Sequence, residues 1–136
     1  MEEHTYIGTE LDALRSAVNY YRWITDEIHP YLQGHGLEVG AGYGTVSRVL
    51  LKTSLQSLYC IEPDERLVTQ IRATLHSSTK PVTVVRATLE ALSRVTTERF
   101  DSIIAINVLE HIADDHQALQ QMHALLTPNG VLCIFT

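Results

Sequence analysis

Two carboxylates and three glycines carry the most chemical information in the chain. Residues 37–46 read L-E-V-G-A-G-Y-G-T-V, a short apolar strand that runs into Gly40, Gly42 and Gly44 and then into a helix. Without a Cβ, the backbone can turn sharply after the strand and a ligand can lie against the main chain. Glu38 is the odd residue of that strand. A carboxylate in a strand covered on both faces needs a cationic or hydrogen-bonding partner. Glu62 ends the next apolar run, C-I-E-P, about twenty residues further on, where an acid can accept two hydrogen bonds from ribose hydroxyls. A dinucleotide site spaces its glycines G-x-G-x-x-G around a pyrophosphate. Here the third glycine comes one residue early and Glu38 would repel a diphosphate, so a cationic nucleoside suits the pattern better.

The stretch resembles motif I of the class I S-adenosylmethionine-dependent methyltransferases, written E/D-x-G-x-G-x-G. S-adenosylmethionine, with an ammonium, a sulfonium and one small carboxylate, matches the charge argument. The resemblance implies a cofactor site that includes Glu38, Val39, Gly40, Ala41 and Gly42, with Glu62 and Pro63 at the sugar. The segment R-A-T-L-E-A-L from Arg86 resembles the family's G-D-x-E-x-L, whose aspartate commonly binds the adenine amino group. Ala87 and Thr88 replace that Gly-Asp pair, so adenine recognition is expected to rest on backbone groups, the Thr88 hydroxyl and Leu89 packed against the ring. N-V-L-E-H-I at 107–112 resembles the segment that passes the sulfonium in small-molecule methyltransferases, which implicates Asn107 and Val108. The Asn-Pro-Pro-aromatic signature of amino-group and nucleobase methylators is missing there, which points to oxygen, carbon or simple small-molecule acceptors.

His111 is the candidate general base on an acceptor hydroxyl, the alternative being a packing or hydrogen-bonding role at the pocket floor. In this type of methyltransferase an N-terminal helix often covers the cofactor, so Tyr20 or Trp23 of N-Y-Y-R-W could face the methionine end. The competing expectation is that Tyr21 and Trp23 anchor the helix while Tyr20 and Arg22 are solvated. His116 and His123 share a helix face, but no Cys or carboxylate completes a metal set, and no metal is expected.

These residues need a scaffold, and the apolar pattern supplies one. Leu11, Leu14, Val18, Tyr21, Ile24 and Ile28 mark a helix over residues 9–31, ended near Pro30. Strands are expected at 36–39, 57–61, 82–85, 100–106 and 131–135, the fourth a nearly continuous apolar run suited to a central position. Between them lie helical stripes: Val46, Val49 and Leu50; Leu67, Val68, Ile71 and Leu75; and Leu119, Met122, Leu125 and Leu126. Asp114 with Gln117 looks like the cap of the last helix, and T-P-N-G at 127–130 reads as its stop and turn.

The alternation predicts an α/β, Rossmann-like parallel sheet of five strands with helices on both faces. The resemblance implies order 3-2-1-4-5, with the cofactor across the carboxyl ends of strands 1, 2 and 4. Family members continue into a sixth strand and an antiparallel seventh, both absent here. One domain over 1–136 is therefore expected, with a core over 35–136, as the N-terminal portion of a longer protein. The alternative is that the bare edge of strand 5 is covered by self-association or another chain.

At 136 residues and 45% hydrophobic, the chain is long enough for one real core. A net charge of −6 without a Lys or Arg cluster argues against nucleic acid. Cys60 and Cys133 sit in expected strands and read as small apolar groups of a reducing cytoplasm. No apolar run reaches membrane-spanning length, so a cytoplasmic protein off the membrane is expected. The function these features predict is S-adenosylmethionine-dependent methyl transfer to a small-molecule acceptor, releasing S-adenosylhomocysteine. A non-catalytic domain binding either molecule is the alternative. A nicotinamide-dependent oxidoreductase is disfavoured by Glu38 and the glycine spacing.

Overall fold

A computed structural model describes residues 17–136. The chain runs α1 (Val18–Ile28), β1 (His35–Val39), α2 (Thr45–Leu50), β2 (Ser57–Glu62), α3 (Glu65–Leu75), β3 (Val82–Arg86), α4 (Leu89–Val95), β4 (Phe100–Ile106), α5 (Asp115–Leu125) and β5 (Leu126–Phe135). Single 3-10 turns follow α1 (His29–Tyr31) and β4 (Leu109–His111). Leu11 and Leu14, placed on the first helix by sequence, lie outside the described residues.

All five strands are parallel in the order β3-β2-β1-β4-β5. The winding reverses between β1 and β4, which leaves a crevice above their carboxyl ends. The sheet divides its side chains by parity, as pleating requires. Leu58, Cys60 and Ile104 join Tyr21, Ile24, Leu50 and Ile71 from α1, α2 and α3 on one face. Leu37, Val39, Ile61, Ile103 and Ala105 join Leu89, Leu92, Ala118 and Met122 from α4 and α5 on the other. β4 is buried on both faces, as its unbroken apolar run predicts.

The helix starts follow local chemistry. Asp64 caps α3 by accepting from the Arg66 N–H at 2.9 Å, Thr88 caps α4 through Ala91 at 3.1 Å, and Asp114 caps α5 through Gln117 at 2.9 Å. Two expectations are corrected. The last strand begins at Leu126 and not at Val131: Phe100 pairs with Leu126 and Ser102 with Val131, so the T-P-N-G residues form an irregularity within the strand. Trp23 does not anchor α1, because it is 53% exposed, while Tyr21 and Ile24 take the buried face.

Candidate functional site

The crevice is one cavity of about 730 Å³. β1 ends at Val39, and the chain then turns through Gly40, Ala41 and Gly42 before α2. Gly40 has φ +69°, and a Cβ there would stand 2.6 Å from Val108 Cγ2, so the turn can pack under the loop after β4 only without a side chain. Gly42 has φ +56° and nothing within 4 Å of where a Cβ would be. Its bare main chain opens on the cavity.

Glu62, at the end of β2, is 5% exposed and braces this turn. Its carboxylate accepts from the Gly42 N–H at 2.9 Å and from the Asp64 N–H at 3.1 Å. Burial raises its pKa, and the two backbone donors pull the other way. Glu38 is more deeply enclosed, at 3% exposure. It accepts hydrogen bonds from the Ser47 hydroxyl of α2 and, at 3.7 Å, from the Cys60 thiol of β2. Burial pushes its carboxyl up to about 7, against the opposing pull of those donors. Partners for Glu38 therefore exist inside the fold, and neither is a cation.

Glu38, Val39, Gly40, Ala41, Gly42, Glu62, Pro63, Thr88, Leu89, Asn107, Val108 and His111 all line this cavity. Tyr20 does not. Its ring packs edge-on against Phe135, with centroids 6.1 Å apart, and against Trp23. One residue further round the helix, Tyr21 lines the cavity instead. Asn107 turns the chain after β4 with φ +54°, the only non-glycine positive φ among the described residues, and its N–H donates to the Phe135 carbonyl at 2.7 Å. Asparagine tolerates that left-handed conformation better than most residues. His111 stands in the 3-10 turn that follows, at the exposed rim.

Sequence reasoning missed Tyr21, Gln117 and Gln121 as lining residues. Nothing local marks them, since helix faces meet the cavity only through tertiary packing. It also missed a property of the whole wall. Among the described lining residues there are four carboxylates, Glu38, Glu62, Glu90 and Asp114, and no Lys or Arg. No group of three or more His, Cys, Asp or Glu among the described residues could hold a metal ion.

A family model for the methyltransferase domain matches residues 37–132. The chain belongs to the S-adenosylmethionine-dependent methyltransferase family. The domain is similar to the mitochondrial ubiquinone biosynthesis O-methyltransferase of Homo sapiens, 35% identical over 106 residues that cover 74% of this chain and 28% of the relative. It is likewise similar to the ubiquinone biosynthesis O-methyltransferase of Histophilus somni, 30% identical over 106 residues covering 74% of this chain and 43% of the relative. The methyltransferase domain thus spans less than half the length of these relatives. Its fold matches that of an S-adenosylmethionine-dependent methyltransferase from Clostridium acetobutylicum with a TM-score of 0.69 at 14% identity, over 89% of this chain and 52% of that one. No described helix is long and apolar enough to cross a membrane.

Proposed function

We propose that the cavity binds S-adenosylmethionine and presents its methyl group to a small-molecule acceptor. The observation that carries this reading is the wall itself, acidic and without Lys or Arg among its described residues, wrapped around the bare main chain of Gly42. A diphosphate cofactor would meet carboxylates and no Lys or Arg among the described lining residues, whereas a cationic nucleoside is attracted by that charge. The residues fit that ligand part by part. Glu62, already held by two backbone N–H groups, retains lone pairs for sugar hydroxyls. Leu89 and Val108 offer apolar surface to a flat base. Once ionised, Glu38 would supply negative charge toward an ammonium or sulfonium.

When bound, S-adenosylmethionine supplies the activated methyl and leaves as S-adenosylhomocysteine, so the protein's task is alignment and exclusion of water. Tyr21 and Asn107 would shape the approach to the methyl group. His111, at the rim, is the candidate to take the proton released by an acceptor hydroxyl. The relatives named as O-methyltransferases favour an oxygen nucleophile. A second reading, cofactor binding without turnover, needs only this cavity and no acceptor pocket.

Calorimetry with S-adenosylmethionine, S-adenosylhomocysteine and NADH, followed by a methyl-transfer assay against pooled phenolic and other small acceptors, tests both. Binding of the first two with transfer is the expected result. Binding without transfer favours the second reading, and binding of NADH alone defeats both.

A further inference from the structure

The adenine end of the cavity lacks an obvious reader. The lining beyond Glu62 includes Pro63, Leu67, Ala87, Leu89 and Val108, apolar side chains that can form a slot for a flat ring but cannot tell one purine from another. The polar groups around it are mostly committed. The Thr88 hydroxyl accepts from the Ala91 N–H as the cap of α4. Glu90 is paired with Arg94 at 2.6 Å. Asp114 accepts from the Gln117 N–H.

Two side chains of α5 remain uncommitted. Gln117 and Gln121 stand one turn apart on α5, on either side of the buried Ala118, and all three line the cavity. α5 packs on α4 through Ala118 and Met122 against Leu89 and Leu92, which brings this glutamine face beside the slot. Among the described residues neither side-chain carboxamide makes a hydrogen bond within the protein, although Gln121 is half-buried. A carboxamide presents a donor and an acceptor side by side, which complements the amino group and neighbouring ring nitrogen of adenine.

We propose that Gln117 and Gln121 form the base-reading edge of the cavity and set its preference for a 6-aminopurine. This rests on the reading of the cavity as an S-adenosylmethionine site. A carboxamide reader accepts from the amino group while donating to the ring nitrogen, so losing the amino group costs one of two paired bonds.

The test is titration of the protein with S-adenosylhomocysteine and with its analogue carrying purine in place of adenine. The wild-type chain is expected to prefer the adenine form by about tenfold, the usual size of one hydrogen bond to a well-placed partner. The double variant Gln117→Leu with Gln121→Leu should lose that preference while still binding the purine analogue, which also reports that its site is folded. Glu62→Gln should weaken both ligands together and leave their ratio unchanged. Preference retained in the double variant overturns the proposal. Should the double variant bind neither ligand, the two single variants decide, and an unchanged ratio in both counts against it. A wild-type chain that binds neither ligand would remove the cofactor reading itself, and the proposal with it.

Discussion

Glu38 holds two opposed consequences in one side chain. Its carboxyl titrates near 7 in the folded chain, against an ordinary value of 4.5, because burial disfavours the charge more than Ser47 and Cys60 stabilise it. A raised carboxyl pKa means that the fold prefers the protonated form. The associated stability is fully present below pH 4.5 and is lost as pH rises through about 7, at a cost on the order of 3 kcal/mol for the ionised group. Glu38→Gln should therefore melt with the wild type near pH 5 and above it at pH 8, a divergence that thermal unfolding at several pH values reads directly. Ligand binding should run the other way. An ammonium near Glu38 favours the carboxylate, so wild-type affinity for S-adenosylmethionine should rise between pH 6 and pH 8, while the Gln variant stays lower and nearly flat. Glu62 calls for a different expectation, because its oxygens already accept from the Gly42 and Asp64 N–H groups. Glu62→Gln turns one acceptor into a donor facing a donor, and calorimetry should show affinity falling between about tenfold and a hundredfold, the range for hydrogen bonds to a charged group.

At the scale of elements, the turns after β1 and β4 are built against each other, and their glycine and asparagine are not interchangeable with alanine. Gly40→Ala would combine a positive φ with a Cβ 2.6 Å from Val108 Cγ2. It should lose more than about 2 kcal/mol in a denaturant titration, since the left-handed conformation alone costs an L-residue about 1–2. Asn107→Gly keeps the φ of +54° without strain, so it separates backbone shape from side-chain contact: retained affinity would assign Asn107 to shape alone, whereas a loss would show that its amide meets the cofactor. Much of this arrangement is legible in the sequence. Apolar runs fix where β1, β2 and β4 end, short connections then fix where the following residues stand, and so Glu62, Asn107 and Val108 fall on the cavity as read. Tyr20 and Tyr21 differ by only one helical step, and which of them faces the cavity depends on how α1 rolls against α2 and the sheet. The partners of Glu38 were likewise hidden, because Ser47 and Cys60 come from a helix and a strand that converge only when the sheet closes over them. Gln117 reads in the sequence only as part of the cap of α5 and Gln121 carries no signal, and both meet the cavity through the docking of α5 beside α4.

The two ends of the sheet are finished differently. At β3, Arg72 reaches across from α3 to donate to the Val84 carbonyl at 2.9 Å, and Arg86 donates to the Pro63 carbonyl at 3.2 Å, so cations and a satisfied acceptor blunt that end. At β5, residues 131–135 read V-L-C-I-F without a charge, all half-buried, and β4 is their only strand partner in the described sheet. Phe135 there meets Tyr20 and the exposed ring of Trp23, with centroids 6.1 and 6.0 Å away, so apolar surface continues from the strand onto α1. A strand edge of this kind pairs readily with another chain. We propose that the isolated chain associates through this side, and light scattering over a range of concentrations should show a mass that rises above the monomer. Trp23→Lys places a charge at the centre of the patch on a residue already 53% exposed, so the fold should survive while association weakens by about tenfold, roughly the worth of one partly buried aromatic contact. A wild-type chain that stays monomeric at the highest concentration would sink the proposal, and so would a Trp23→Lys variant that associates as the wild type does, because β5 and its neighbouring aromatics would then not be the surface in use.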